Sequence, residues 1–371
     1  MRYYIIAGEA SGDLHGSHLI REIKMLDDRA LVRCWGGDLM QEAGAELVKH
    51  YRHLAFMGFI EVVKNLPAIM RNIKFCKEDI LAFKPDVVVL IDYPGFNLRI
   101  AEWAKQQGFK IVYYISPQVW AWKESRVKKI KRFVDRMLVI LPFEKAFYSK
   151  WDYKVEYVGH PLVEVIEKER QTLPAPAFSA KPIIALLPGS RQQEILKKLP
   201  IMLQVAAYFP AYHFVVARAP GLEDSFYISL LTPYQNVSAV SGKTYSLLMQ
   251  AQAALVTSGT ATLETALFGV PEVVCYKSSN ISYQIGKRLI KVKYISLVNL
   301  IMDKPVVKEL IQDELTPENL KKELADLLFN PARKGQLEKD YTELRKKLSE
   351  GGRAAANAAR HVVEMTGLSV S

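Results

Sequence analysis

The sequence has few cysteines and no long apolar segment. Its three cysteines, Cys34, Cys76 and Cys275, are scattered along the chain. This argues against a disulfide framework or a structural zinc site and favours reduced thiols in a cytosolic protein. No apolar run reaches the roughly 18 residues that a membrane-spanning helix needs. The first residues lack the apolar segment and cleavage site of a signal peptide, and we expect them to form a β-strand.

Motifs for common cofactors are missing as well. The glycine loop near the N-terminus does not have the GxGxxG spacing of a dinucleotide fingerprint. The absence of a GxxxxGKS/T motif argues against a P-loop ATPase. The 7 histidines show no HxH, HExxH or triad-like grouping, so metal dependence is not indicated. We therefore expect neither a metal nor a cofactor.

The length, composition and net charge of the chain indicate a folded, basic protein. The chain has 371 residues, of which 50% are hydrophobic and 24% charged, enough for two globular domains. Its formal net charge is +11, from 50 Lys and Arg against 39 Asp and Glu. Such a charge favours an anionic partner, whether nucleic acid, a membrane surface or a phosphorylated substrate, although solvated basic faces are also common.

Short apolar runs alternate with helical stretches through most of the chain, which predicts βαβ units and a doubly wound α/β fold. The runs are nearly continuous in apolar character, as parallel strands covered on both faces require. The predicted strands are Tyr3–Ala7, Val32–Trp35, Val87–Ile91, Ile111–Ile115, Met137–Leu141, Val155–Val158, Ile183–Leu187, His213–Ala217, Ala253–Val256 and Glu272–Cys275.

A charged segment followed by three prolines, Pro174, Pro176 and Pro182, interrupts this alternation and is typical of an interdomain linker. We therefore predict a first Rossmann-like domain over residues 1–165, a linker over 166–182 and a second Rossmann-like domain over 183–345. Residues 346–371 are predicted to form a C-terminal helix that packs back on the first domain or on a partner chain.

Acidic residues follow two predicted strands of the first domain. Glu9 and Asp13 lie in a glycine-containing loop after the first strand, where they suit sugar hydroxyls or proton transfer, although Asp13 could simply cap a helix. Asp92 directly follows Val87–Ile91. A carboxylate at the end of a buried strand can have a raised pKa and act as a general base. For helix capping, Asn97 is the better placed residue.

Aromatic and basic residues adjoin each other after the strand Ile111–Ile115. Trp120 and Trp122 could hold a sugar or an acyl chain, or could be ordinary core. The basic run Lys123–Arg132 that follows could contact single-stranded nucleic acid or lipid headgroups.

Two loops of the second domain are suited to phosphate. Small residues and glycines leave backbone N–H groups open to an anion at a helix N-terminus, and an arginine can neutralise its charge. Glu264, about one turn into the following helix, could accept hydrogen bonds from ribose hydroxyls. Helix capping is the alternative role for Thr260. The loop residues are Gly189, Ser190 and Arg191, and Ser258, Gly259 and Thr260.

Together these loops resemble the lipid-A-disaccharide synthase family over about Met1 to Gln312. The matching strings are Ala7–Asp13, Trp35–Gly37 with Met40, Met57–Gly58 through Glu61–Val62, Ile91–Asn97, Tyr113–Trp122, Leu141–Glu144, Val158–Pro161, Leu187–Arg191, Ser258–Glu264 and Tyr294–Asn299. No single string is decisive, but their common order and spacing are highly specific.

The resemblance implies a GT-B inverting glycosyltransferase. Its expected reaction joins UDP-2,3-diacylglucosamine to 2,3-diacylglucosamine 1-phosphate, giving the β-1,6-linked lipid A disaccharide phosphate and UDP. The positions that match the UDP side of the family are Arg191, Gly259, Thr260, Glu264 and, near the donor, Asn299. Asp92 and Glu9 match acidic positions of the acceptor domain.

Two positions depart from the family. Some members have a second aspartate where this chain has Gly95, so the base here is assigned to Asp92. Val298 stands where proline is common before the asparagine, a change expected to alter only the loop.

Substrates with acyl chains require an apolar surface. The expected one is Phe56–Ile60 with Leu66–Arg71, in which Met57 and Phe59 would contact lipid, and core packing is the alternative. With the basic run Lys123–Arg132, this predicts salt-sensitive attachment to the anionic inner face of the cytoplasmic membrane. A homodimer would follow if the C-terminal helix exchanged with a partner chain.

Two other functions fit parts of the sequence. An epimerase acting on UDP-N-acetylglucosamine would share the two-domain layout and the UDP contacts but would need no lipid acceptor. A basic nucleic-acid-binding module would explain the net charge, but the sequence has no recognisable nucleic-acid motif.

Overall fold

The computed structural model describes residues 1–54, 66–122, 124–172, 175–279, 283 and 292–368. The chain divides into two compact units. The first comprises Met1–Pro161 together with the C-terminal segment from Leu348, and the second comprises Leu162–Lys347. The change of unit after Pro161 precedes the predicted linker, whose first residues, 166–170, are helical in the structure.

Seven parallel strands form the sheet of the first unit, in the order β3-β2-β1-β4-β5-β6-β7. The central strand β1 pairs with β2 on one side and β4 on the other, so that Ile5 lies between Cys34 and Val89. The strands are β1 (Arg2–Ala7), β2 (Leu31–Gly36), β3 (Glu46–His50), β4 (Val87–Ile91), β5 (Ile111–Tyr114), β6 (Arg136–Val139) and β7 (Glu156–Tyr157).

Helices cover both faces of this sheet, as its continuous apolar strands require. Alternation along β1 sends Tyr4 and Ile6 into one core and Tyr3 and Ile5 into the other. The helices are α1 (Ala10–Leu26), α2 (Asp38–Glu42), α3 (Leu66–Phe83), α4 (Pro94–Gln106), α5 (Val119–Trp122), α6 (Arg126–Phe133) and α7 (Glu144–Ser149), with a 3₁₀ turn at Tyr51–His53.

Helix α8 (Pro161–Arg170) follows at the boundary between the units. Its apolar residues Leu162, Val163 and Ile166 are buried, whereas Glu167 and Lys168 are exposed. This helical periodicity explains why the charged segment folds as a helix although its composition resembles a linker.

The second unit has a six-stranded parallel sheet in the order β10-β9-β8-β11-β12-β13. Its strands are β8 (Ile183–Leu187), β9 (His213–Arg218), β10 (Val237–Ser241), β11 (Ala251–Thr257), β12 (Glu272–Tyr276) and β13 (Lys308–Ile311). Its helices are α9 (Gln192–Ala206), α10 (Asp224–Leu231), α11 (Thr244–Gln250), α12 (Thr260–Leu267), α13 (Leu297–Met302), α14 (Pro317–Phe329) and α15 (Pro331–Ser349), with a 3₁₀ turn at Gln312–Glu314.

The last helix, α16 (Ala354–Thr366), packs against α1 in the first unit. Its buried residues Ala358 and Val362 belong to the same core as Ile5. Arg353, which precedes α16, forms an ion pair with Glu22 of α1, with a nitrogen-oxygen distance of 2.7 Å. The C-terminal segment is therefore part of the first unit's fold.

Both sheets are doubly wound. In each, the chain first adds strands on one side of the first strand and then adds the remaining strands on its other side. This topological switch point lies between β1 and β4 in the first unit and between β8 and β11 in the second. Ligands of such sheets bind at the carboxyl ends of the strands that flank the switch point. Within the described part of the chain, every helix falls short of the length and apolar character needed to cross a membrane.

Candidate active site

A cavity of about 230 Å³ opens at the carboxyl edge of the second sheet. Leu187, Arg218 and Thr257, at the ends of β8, β9 and β11, form part of its wall. The cavity thus lies at the switch point, where the fold places ligands. Further wall residues include these predicted binding residues: Gly189, Ser190, Ser258, Gly259, Thr260 and Glu264.

The first loop of this cavity depends on a glycine. Gly189 has φ +120, a conformation that side-chain-bearing residues rarely adopt. A Cβ at this position would lie 3.0 Å from the Glu194 carboxylate and 3.6 Å from the Lys198 ammonium. The backbone of the loop therefore lies directly over these two side chains of α9.

The second loop leads into α12 through another glycine. Gly259 has φ +144 and occupies the N-cap position, so no side chain there accepts from the first N–H groups of α12. Ser258 anchors the loop by donating a hydrogen bond to the Ile295 carbonyl at 2.8 Å. The start of α12 thus presents backbone donors to the cavity, as an anion site requires.

Glu264 lies one turn further along α12 and contributes its carboxylate to the same cavity. Burial raises its pKa, while a hydrogen bond from the Tyr245 hydroxyl, 3.1 Å away, lowers it. Tyr245 in turn packs against Phe268, with ring centroids 5.3 Å apart. The carboxylate is therefore held in a fixed position from which it can accept hydrogen bonds.

Arg191 and Asn299, also predicted to bind UDP, do not line this cavity. Arg191 is 64% exposed and pairs with Glu194 at 3.2 Å. Asn299 is only 1% exposed: its amide donates to the Val307 carbonyl and to Glu309, and its oxygen accepts from the Val307 N–H. In this structure Asn299 holds the loop before β13 and does not line this cavity.

Sequence reasoning missed two cations beside this cavity. Arg218 lines it directly; this guanidinium pairs with Asp224, and its buried Nε has no hydrogen-bond partner among the described residues. Since Arg218 immediately follows the predicted strand His213–Ala217, the rule used for the other loops would have found it. Lys198 is buried in the middle of α9, where spacing alone gives no signal.

In the first unit, Asp92 occupies the equivalent place beyond β4. Asp92 and Tyr93 both have left-handed backbone conformations, with φ +42 and φ +48. Such strain persists only when its surroundings hold it and is common at functional sites. Here the Asp92 carbonyl accepts from the Tyr113 hydroxyl at 2.5 Å and the Asn97 amide at 2.8 Å.

The environment of Asp92 favours its protonated form. Burial, and secondarily the nearby charge of Glu9, raise the pKa of Asp92 to about 6. Glu9 is exposed at the N-cap of α1. A carboxylate with this pKa at a sheet's carboxyl edge suits proton acceptance near neutral pH. Helix α4 starts at Pro94, so Asn97 is buried within it and is not the predicted cap.

Asp13 has a structural role in this arrangement. Its buried carboxylate accepts hydrogen bonds from three backbone N–H groups: Gly37 at 2.8 Å, Leu39 at 3.2 Å and Met40 at 3.0 Å. These groups belong to the N-terminus of α2. Capping is therefore the function that the geometry supports for Asp13, although the capped helix is α2 and not its own.

The aromatic and basic segment divides between core and surface. Trp120 is buried and packs edge-on against Phe143, with centroids 5.0 Å apart. Trp122 is 45% exposed, and the Arg126 guanidinium lies 5.5 Å from its ring centroid. Of the basic run, Lys128, Lys131 and Arg132 are exposed. Met57 and Phe59 lie outside the described residues.

Analysis of the residue pattern did not identify a second carboxyl of the first unit whose pKa is raised, that of Glu144. Glu144 is buried at the start of α7 and accepts from the Leu141 N–H at 3.0 Å. Burial raises its pKa to about 7. Its position in the string Leu141–Glu144 was noticed only through family resemblance. Across the described residues, clusters of three or more potential metal-binding side chains are absent.

Comparison of the backbone with solved structures identifies the fold. A UDP-GlcNAc 2-epimerase from Neisseria meningitidis bound to UDP-GlcNAc superposes with a TM-score of 0.67 at 14% identity, covering 98% of this chain and 99% of that one. The glycotransferase of kitacinnamycin gives a TM-score of 0.69 at 16% identity, over 98% and 99%. At these identities the likeness extends to the fold alone, and it confirms the predicted GT-B class.

Sequence comparison is more specific. A family profile described as lipid-A-disaccharide synthetase matches residues 3–363. Lipid-A-disaccharide synthase of Geobacter metallireducens is 40% identical over 99% of this chain and 97% of its own length. The synthase of Coxiella burnetii is 38% identical over 96% of each. The chain therefore belongs to the lipid-A-disaccharide synthetase family, whose members are glycosyltransferases of lipid A biosynthesis.

Proposed function

We propose that this protein transfers a 2,3-diacylglucosaminyl group from UDP to 2,3-diacylglucosamine 1-phosphate with inversion at the anomeric carbon. The 6-hydroxyl oxygen of the acceptor attacks that carbon, and the bond to the UDP oxygen breaks. The hydroxyl proton passes to a carboxylate base, and UDP leaves with the bonding electrons. The products are the β-1,6-linked disaccharide 1-phosphate and UDP.

The single observation that carries this proposal is the cavity between the two glycine loops of the second unit. Backbone donors at the start of α12 suit a diphosphate, and Arg218 adds positive charge in the same wall. Glu264 can accept from ribose hydroxyls. Groups that neutralise negative charge on a departing diphosphate accelerate its release.

Asp92 is the base that the first unit supports best. Its raised pKa places the ionised form among the species present at neutral pH, and burial makes that carboxylate a stronger proton acceptor than an exposed one. Gly95 stands where some family members have an aspartate, and it leaves open space where a side chain would lie. Glu9 acts on Asp92 through its charge.

Membrane attachment fits the surface residues of α6 and the tryptophan that ends α5. Trp122, Arg126, Lys128, Lys131 and Arg132 together present an aromatic ring and cationic groups in one short segment. Such a segment can bind anionic headgroups at a membrane surface. We include peripheral binding to the inner face of the cytoplasmic membrane in the proposal. A homodimer remains a prediction from the sequence.

The decisive experiment supplies the UDP-diacyl donor and the monosaccharide phosphate and follows the disaccharide phosphate by mass spectrometry. The configuration of the new linkage, read by NMR, tests inversion. UDP release without disaccharide, or conversion of a soluble UDP-sugar to its 2-epimer, would contradict the proposal. Vesicles containing anionic lipid should sediment the protein at low salt and release it at high salt, whereas neutral vesicles serve as the control.

A further inference from the structure

Lys198 is a buried cation that has no role in the proposed reaction as described above. Its side chain is 4% exposed in the middle of α9. The ammonium donates a hydrogen bond to the Thr257 hydroxyl, and it lies 3.8 Å from the Glu194 carboxylate. Burial lowers its pKa, while Glu194 opposes that effect. Burying an ammonium is costly, so its retention calls for a physical reason.

The ammonium lies next to the backbone of the first glycine loop and is hydrogen-bonded to the residue that precedes the second. Gly189 lies directly above it, since a Cβ there would be 3.6 Å from its nitrogen. Thr257, its hydrogen-bond acceptor, is the last residue of β11 and immediately precedes Ser258 and Gly259. A single buried charge is therefore placed beneath both loops.

The charge of Lys198 is only partly balanced by its neighbours. Glu194 is shared with Arg191, whose guanidinium is 3.2 Å from the other carboxylate oxygen. Two cations thus share one carboxylate. Lys198 itself lines a neighbouring cavity of about 170 Å³, which shares Glu194, Thr257 and Ser258 with the nucleotide cavity.

We propose that Lys198 is a positioning residue whose buried positive charge prepares the two loops for the diphosphate. The inference rests on the proposed UDP donor and adds to it a charge beneath the donor's binding surface. A charge shielded from water acts on a nearby anion more strongly than an exposed one, because less solvent screens it. The ammonium also orients the Thr257 hydroxyl, and with it the start of the second loop.

This role predicts an unusual combination of effects for Lys198→Met. Affinity for UDP, measured by calorimetry, should fall roughly 10- to 100-fold, the loss for UMP should be smaller, and uridine affinity should change less than about twofold. Thermal stability should be unchanged or higher, because a methionine of similar length replaces a buried charge, while Glu194 is 38% exposed and keeps its ion pair with Arg191. A purely structural lysine would instead give a less stable protein.

Lys198→Gln provides a second variant, because its amide can still donate to Thr257 but carries no charge. It should show the same loss of UDP affinity. Lys198→Arg keeps the charge and should restore affinity to within several-fold of wild type. The matched control is Lys322→Met, which removes an exposed lysine of α14 in the same unit and should leave UDP affinity unchanged.

The results separate this inference from the proposed function. Wild-type affinity for UDP in Lys198→Met or Lys198→Gln would overturn the role of the charge, as would equal losses for UDP and uridine together with lower stability. Failure of the wild-type protein to bind UDP, or to form disaccharide, would instead overturn the proposed function.

Discussion

Replacing Asp92 with asparagine tests the proposed base directly. Asparagine has nearly the same shape but cannot accept the proton of the acceptor hydroxyl. Because general base catalysis contributes roughly 100- to 10,000-fold to a rate, turnover should fall by that factor. UDP affinity should stay unchanged, since the proposed nucleotide site is built from the second unit alone.

The same substitution should not weaken the fold. The rise in the pKa of Asp92 from its usual 3.8 to about 6 corresponds to at most roughly 3 kcal/mol, since each pKa unit is worth about 1.4 kcal/mol. Because the folded-state pKa is raised, protonated Asp92 contributes to the free energy of unfolding below pH 4. This contribution is lost as pH rises through about 6 and the carboxyl ionises. An asparagine at this position does not ionise, so Asp92→Asn avoids this loss. The unfolding free energy of the variant at pH 8 should therefore equal or exceed that of the wild type.

The pH dependence identifies the group. If Asp92 must be ionised, kcat/KM should fall about tenfold per pH unit below its pKa of about 6. Glu9→Gln removes the like charge that contributes to this pKa, so the acid limb should move to lower pH. Burial, the larger cause, persists in that variant, and the pKa should therefore stay above 3.8.

The assay is disaccharide formation across pH 5 to 9, with unfolding in urea followed in parallel. Asp28→Asn, which changes an exposed aspartate after α1, is the matched control and should leave rate and profile unchanged. Near-wild-type turnover in Asp92→Asn would refute the assignment. An acid limb that Glu9→Gln leaves in place would refute the electrostatic coupling.

Three further predictions concern neighbouring residues. Asp13→Ala should lower the unfolding free energy measured in urea by roughly 2 kcal/mol, because three N–H groups, two of them buried, lose their acceptor; an unchanged value would contradict the capping role. Gly259→Ala should weaken UDP binding by calorimetry, because alanine is strained by roughly 1 to 3 kcal/mol at φ +144 and ψ −161, whereas Gly335→Ala, in the interior of α15, should not. Glu264→Gln should reduce affinity for UDP more than for 2′-deoxy-UDP; equal losses would exclude a ribose contact.

The sequence predicted the central strands and missed three edge strands for a physical reason. β1, β4, β8 and β11 are buried on both faces and read as continuous apolar runs. The missed strands β3, β10 and β13 lie at the ends of their sheets. An edge strand has fewer neighbours, so it carries polar residues that hide its periodicity. Lys308 and Glu309, which begin β13, illustrate this.

In the candidate site too, some features could be predicted from the sequence, whereas others depend on how the chain packs. Glycine loops after strands are visible in the sequence, because residues other than glycine rarely adopt the φ values at Gly189 and Gly259. The roles of Asp13 and Asn299 depend on which distant backbone groups they reach, and these lie in α2 and beside β13. A polar residue near a predicted site therefore cannot be assigned to ligand or to backbone until the fold is known.

The six strands of the second sheet have the same order as the first six strands of the first sheet, so topology alone cannot explain why their sites should bind different groups. The difference lies in the loops beyond the same switch point. In the first unit these loops carry the carboxylates of Glu9 and Asp92. In the second they combine glycines with Arg218 in the cavity wall and Lys198 beneath it. A diphosphate placed directly beside the first set would be repelled, whereas the second set would attract it. The charge pattern therefore favours the diphosphate donor in the second unit and proton transfer from the acceptor in the first.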